Sequence, residues 1–94
     1  MRRDKLMVSI RKIEWVIIAS MTLLEIGNDE TVRIIKLKGG RHMSEKLRNL
    51  ALFPGTVVKV IRYAPFGGPV MIEVEGRTLA LGRGIAHHIV VERI

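Results

Sequence analysis

The stretch from residue 50 to residue 69 constrains the fold most, because it ends one element and begins two others. Pro54 lacks a backbone N–H and biases Phe53 away from helical backbone angles, so a helix must end before this point. The β-branched residues of 57–61 then predict a strand. A loop follows at 64–69, with two prolines that fix φ and two glycines that permit positive φ. A second β-branched run after the loop predicts a returning strand.

Elsewhere, hydrophobic spacing predicts one helix and several short strands. Met43, Leu47 and Leu50 recur at intervals of four and three, which indicates a helix near residues 42–52. Alternation predicts a strand over residues 31–38, with a bulge near Ile35 where strict period two breaks. Further runs predict strands at 71–75, 78–81 and 89–94, and one helical turn at 85–88. About five short strands and one short helix predict a mostly β fold, a small and partly open barrel.

Composition sets limits on the class of protein. The chain has 94 residues, enough for one small domain, and its aromatic content of 4% requires an aliphatic core. It contains no cysteine, which excludes disulfides, thiolate metal sites and cysteine nucleophiles. No carboxylate stands at a diagnostic spacing from a histidine or another acid, and neither glycine pair forms a phosphate loop, so we expect no enzymatic activity.

The charge is strongly basic, with a formal net charge of +7. Residues 1–20 carry five basic and two acidic side chains, a net +3, which leaves +4 on residues 21–94. A small basic domain suggests nucleic acid or an anionic membrane surface as a partner. In residues 21–94, however, Arg and Lys mostly alternate with apolar residues along predicted strands, which favours an ordinary solvated sheet face.

Residues 1–20 form an N-terminal extension to a domain that we expect at 21–94. The spacing of Leu6, Ile10, Ile13 and Ile17 favours a short amphipathic helix, although the β-branched cluster at 16–18 leaves a strand open. The uncharged run is too short for a secretory or membrane-spanning segment. The extension could pack on the domain, face a partner, or reflect a misplaced translation start.

Residues 21–94 resemble the FeoA family, small cytoplasmic proteins of ferrous-iron uptake, and the C-terminal SH3-like module of DtxR-type repressors. The resemblance rests on the Leu-Ala-Leu-Phe-Pro-Gly run at 50–55, the Arg-Tyr-Ala-Pro-Phe-Gly-Gly-Pro-Val run at 62–70, and the run at 74–81. Two departures from the family pattern stand out. Ala51 occupies a helix-end position where the family usually has glycine, so a residue with a Cβ must adopt that conformation. Gly82-Arg83-Gly84 replaces the charged residues that commonly follow the preceding strand.

This resemblance implies an SH3-like barrel and a role without catalysis. It implies a cytoplasmic accessory or regulatory protein that binds the FeoB-type ferrous-iron transporter, which would recruit it to the inner face of the membrane. Binding of a divalent transition-metal ion and self-association are left open. The alternative function is a basic nucleic-acid-binding barrel of the KOW or ribosomal-protein type, which salt-dependent RNA binding would favour.

Two sets of residues are candidates for function. The partner-binding candidates are the loop residues Tyr63, Pro65, Phe66, Gly67 and Gly68, because stiff aromatic loops make good binding anchors. The alternative is that their aromatic rings plug the end of the barrel. The candidate metal ligands are His42, His87 and His88, for which the simpler interpretation is that they are surface histidines.

Overall fold

The computed structural model describes residues 21–94, so the predictions for residues 1–20 lie outside the described residues. Six antiparallel strands form one sheet in the order β1-β6-β2-β3-β4-β5. The strands are β1 (Met21–Thr22), β2 (Thr31–Leu37), β3 (Val57–Tyr63), β4 (Val70–Val74), β5 (Arg77–Leu81) and β6 (Ile89–Arg93). The helices are α1 (Gly40–Asn49), α2 (Arg83–Ala86) and a 3-10 turn at Leu23–Glu25. The predicted mostly β, SH3-like fold with one short helix is confirmed.

The aliphatic core lies inside this curved sheet. Strand residues that alternate inward pack against residues of the 3-10 turn, α1 and α2, and burial of these side chains is the main stabilising contribution. The fully buried residues with the largest side chains include Leu23, Ile26, Ile34, Leu47, Leu52, Ile72 and Ile89. The predicted bulge near Ile35 is present, since the β2–β6 register shifts between Ile34 and Lys36.

The helix α1 ends at Asn49, three residues before the predicted limit. Ala51 has a φ of +63°, its N–H donates to Arg48 O at 2.8 Å, and Leu52 N donates to Leu47 O at 2.9 Å. This pair of bonds is a Schellman motif, which closes a helix through one left-handed residue and turns the next apolar residue inward. The expectation that Ala51 takes the conformation usually given to glycine is therefore confirmed.

The first strand and the last helical turn complete the described elements. The strand at the start of the domain is only Met21–Thr22, because the Glu25 carboxylate accepts the Thr22 N–H at 2.7 Å and the chain turns into the 3-10 segment. The helical turn near the end of the domain begins at Arg83, two residues earlier than predicted. Neither α1 nor α2 is long and apolar enough to cross a membrane, a finding limited to residues 21–94.

Candidate functional site

The loop between β3 and β4 (residues 64–69) is a closed hairpin connection with a sharp tip. Ala64 N donates to Pro69 O at 2.9 Å across its base, and Gly68 N donates to Pro65 O at 3.1 Å across its tip. The two residues at the tip, Phe66 and Gly67, have φ values of +58° and +72°. Positive φ at both central positions is typical of a type I′ turn, the turn that fits the twist of antiparallel strands. The loop is therefore a fixed turn on two sheet strands.

Phe66 projects from this tip into solvent. Its exposed fraction is 103%, so packing inside the domain does not account for the aromatic ring. The turn does not account for it either, because a bulky side chain with positive φ costs about 1–2 kcal/mol relative to glycine. A strained residue that neither packs nor eases its turn is a candidate for external contact.

Gly68 holds the two arms of the loop close together. A Cβ placed on Gly68 would lie 2.8 Å from the Ala64 Cβ and 3.1 Å from the Pro65 carbonyl oxygen. The 2.8 Å contact is shorter than real Cβ atoms make, so a side chain at this position would force the loop to move. Gly68 therefore allows the two arms of the loop to approach each other closely. Pro65 and Gly67 are exposed on either side of Phe66.

Arg83, at the start of α2, holds the loop in place through hydrogen bonds to its backbone. Its Nε donates to Gly68 O at 2.9 Å and its Nη2 lies 3.4 Å from Ala64 O, so one guanidinium reaches both arms. The same group lies 5.6 Å from the centre of the Tyr63 ring, within range of a cation–π interaction. This role of Arg83 was not predicted from the sequence, where residues 82–84 stood out only as a departure from the family pattern. A lone arginine between two glycines was the available signal.

Tyr63 faces the interior of the domain and not the tip. Its hydroxyl lies 2.5 Å from Ile26 O and 2.9 Å from Leu23 O, so its single hydrogen is shared between two carbonyls of the 3-10 segment. Burial raises the pKa of Tyr63 above its ordinary value of 10.0, while the charge of Arg83 acts in the opposite direction. The two aromatic candidates are thus separated: Tyr63 anchors the loop, and Phe66 is presented by it.

The histidine candidates do not come together as a metal site. Within residues 21–94, no group of three or more His, Asp or Glu side chains is placed to hold one ion. His42 and His87 are exposed, whereas His88 is half-buried with its Nδ1 at 2.8 Å from Gly84 O. A Cβ on Gly39 would lie 2.4 Å from His88 Cδ2, so this ring packs directly on the Gly39 backbone. His88 is held by contacts within the domain.

Three comparisons place the chain among known proteins. A curated protein of Methanocaldococcus jannaschii, named "Putative Fe(2+) transport protein A", is 36% identical over 63 residues, which is 67% of this chain and 74% of that protein. A crystal structure of an iron uptake regulatory protein (FeoA) matches with a TM-score of 0.73 and 28% identity, covering 80% of this chain and 97% of its own. The manganese-activated repressor ScaR matches with a TM-score of 0.73 at 24% identity, covering 79% of this chain and 35% of its own, which shows a shared fold.

The family comparison covers the whole described domain. The FeoA domain profile matches residues 21–93, which include the helix end, the 64–69 loop and the last strand. The resemblance stated from the sequence is therefore confirmed, and this chain belongs to the FeoA domain family.

Proposed function

We propose that this protein is a cytoplasmic, non-enzymatic accessory protein of ferrous-iron uptake that binds the cytoplasmic part of a FeoB-type transporter. The curated relative is named for Fe(2+) transport and the matching crystal structure for iron uptake regulation, which supports this assignment. Iron is the cargo of the transporter in this proposal. Metal binding by His42, His87 or His88 is a separate hypothesis that the proposal does not need, and so is self-association.

The contact to the transporter is the tip of the 64–69 loop, namely Pro65, Phe66 and Gly67. The observation that carries this assignment is the fully exposed Phe66 ring on a turn where its backbone is strained. Arg83, Gly68 and Tyr63 act behind the tip by fixing its position. A pre-positioned aromatic anchor loses little conformational freedom on binding, which favours affinity.

The other function considered, a KOW-type nucleic-acid-binding barrel, gains no support. The family profile is that of the FeoA domain, and the relatives reported at 36% and 28% identity are named for Fe(2+) transport and FeoA. The loop also carries a single exposed aromatic residue, whereas proteins that bind single strands usually provide several stacking surfaces.

The test is Phe66→Ala, with binding to the transporter's isolated cytoplasmic domain measured beside thermal unfolding. Because Phe66 makes no packing contribution, we expect the free energy of unfolding to change by less than about 1 kcal/mol. Loss of a central aromatic anchor should weaken binding by about 2 kcal/mol, roughly 30-fold in Kd.

Phe53→Ala is the matched control, because Phe53 is the other phenylalanine and is 44% exposed on a different turn. It should lower stability more than Phe66→Ala does and leave binding unchanged. Unchanged binding by a folded Phe66→Ala protein would remove the loop from the contact.

A further inference from the structure

The net charge of the described domain is concentrated in one surface segment. Residues 36–49, here called the cationic segment, contain five basic residues and one acidic residue, a net +4. The other residues of 21–94 contain six basic and six acidic residues and are neutral together. The segment thus carries the whole net charge of the domain. The basic residues in it are Lys36, Lys38, Arg41, Lys46 and Arg48, and all five are exposed.

These charges are not neutralised by ion pairs inside the domain. The ion pairs among residues 21–94 are Arg33–Glu92 and Arg93–Glu30, and both lie outside the cationic segment. The carboxylate within it is Glu45, an exposed residue of α1. Since they form no ion pair with another residue of 21–94, these basic side chains are free to meet an external anionic surface.

The helix α1 gives this charge a defined face. Its buried residue Leu47 and its half-buried neighbour Met43 turn one side of the helix to the sheet. Arg41 and Arg48 are seven residues apart, two helical turns, so they lie on one exposed side with Glu45 between them. Lys36 and Lys38 precede this helix at the end of β2, where Lys38 N donates to His88 O at 2.8 Å. The exposed side of α1 that carries Arg41, Glu45 and Arg48 is here called the basic ridge, and Lys36 and Lys38 precede it in the chain.

We propose that the cationic segment binds the anionic phospholipid headgroups of the membrane in which the transporter resides. The proposal rests on the proposed function, which brings the protein to that membrane. The cytoplasmic leaflet has a negative surface potential, and each Lys or Arg near it strengthens association about fivefold. The segment contains no Phe, Tyr or Trp with which to stack bases, so phosphate contact without base contact suits it better than binding of single-stranded nucleic acid.

The lipid surface and the transporter occupy different parts of the molecule in this scheme. Phe66 at the loop tip contacts protein, and the ridge of α1 contacts headgroups. Because four unit charges give only weak adsorption at physiological salt, the ridge orients a protein that the loop already holds.

The experiment is cosedimentation of the full chain with vesicles of phosphatidylglycerol and phosphatidylcholine, compared with vesicles of phosphatidylcholine alone. The test variant is Arg41→Gln/Arg48→Gln, which preserves helix propensity on α1. The matched control is Lys59→Gln/Arg62→Gln on β3, which removes the same charge from the neutral remainder. Residues 1–20 are basic as well, but they are identical in all variants.

We expect the α1 variant to bind the anionic vesicles about 25-fold more weakly than the native protein, and the β3 control to bind within about threefold of it. Glu45→Gln, which removes the carboxylate from the ridge, should strengthen binding about fivefold. Equal losses in the two double variants, or no preference of the native protein for anionic vesicles, would overturn the proposal.

The same variants distinguish this proposal from the proposed function. With the transporter's isolated cytoplasmic domain and no lipid, Phe66→Ala should weaken binding and the α1 variant should not. If the α1 variant binds the transporter domain more weakly and the vesicles as well as the native protein does, the basic ridge binds an acidic surface of that protein. The lipid assignment would then be wrong.

Discussion

Ala51 closes α1 in the left-handed conformation that glycine adopts without strain. A positive φ destabilises a residue with a Cβ by about 1–2 kcal/mol. Glycine avoids this strain, but its greater freedom in the unfolded chain offsets roughly half of that gain. The Schellman bonds and burial of Leu52 hold Ala51 in place despite this cost. The backbone strain at Ala51 therefore belongs to the end of α1, and it is separate from the strain at Phe66 in the loop tip.

We predict that Ala51→Gly stabilises the protein by about 0.5–1 kcal/mol, because relief of the Cβ strain exceeds the added unfolded-state entropy. Urea unfolding measures this difference. Lys46→Gly, at an exposed position inside α1, is the control and should destabilise by roughly 0.5–1 kcal/mol. A loss of stability in Ala51→Gly would show that the left-handed turn does not form.

At this scale the sequence predicted what depends on local geometry. The stop at Pro54 follows from residue type, and the resemblance to the FeoA family, which usually has glycine at position 51, implied the unusual conformation of Ala51. Local pattern could not predict that Tyr63 is held inside the domain while Phe66 is exposed. Tyr63 is fixed by hydrogen bonds to Leu23 and Ile26, about forty residues earlier, and no local pattern encodes that contact.

At the scale of elements, the hairpin loop and α2 form one unit. The loop supplies the exposed ring, and Arg83 of α2 supplies hydrogen bonds to both of its arms. One helical turn later, His88 packs on Gly39 immediately before α1. The role of residues 82–84 could not be predicted from the sequence, because Arg83 bonds to backbone carbonyls, which no residue type signals.

Titration of Tyr63 tests this unit directly, since Tyr63 is the only tyrosine of the chain. Burial raises its pKa in the folded protein, so absorbance at 295 nm should show a native midpoint above 10.0. In denaturant the midpoint should return to about 10. The folded state then holds the phenolic proton more tightly than the unfolded state. Its stabilising effect is complete below pH 10 and is lost as pH rises through the native pKa.

Arg83→Gln is the companion variant in that titration. It removes a nearby positive charge that opposes the shift, so the native midpoint should rise further. A native midpoint at or below that of the unfolded chain would contradict the placement of Tyr63 against the 3-10 segment.

At the scale of the whole molecule, nearly every element of residues 21–94 contributes to one buried core. The buried cluster draws on the 3-10 turn, both helices and all strands from β2 to β6. The order of short strands, the single helix and the glycine turns were sufficient to predict a mostly β fold. The pairing of β1 with β6 was not predictable, because it joins the two ends of the domain through only two residue pairs.

We therefore propose that residues 21–94 are the folding unit, and predict that a chain beginning at Met21 unfolds cooperatively with a midpoint within a few degrees of the full protein. Thermal unfolding followed by circular dichroism measures this. A shortened chain that does not fold would place Ile13, Trp15 and Ile17 in the core or in an interface between copies.

The central claim is that the loop tip contacts the transporter, and amide NMR during titration with the transporter's cytoplasmic domain tests it most directly. We predict that the amide signals of Phe66, Gly67 and Gly68 shift or broaden first, while those of Thr78 and Ala80 on β5 stay in place. Unchanged loop signals, with changes confined to α1 or β5 at saturating partner, would contradict the account.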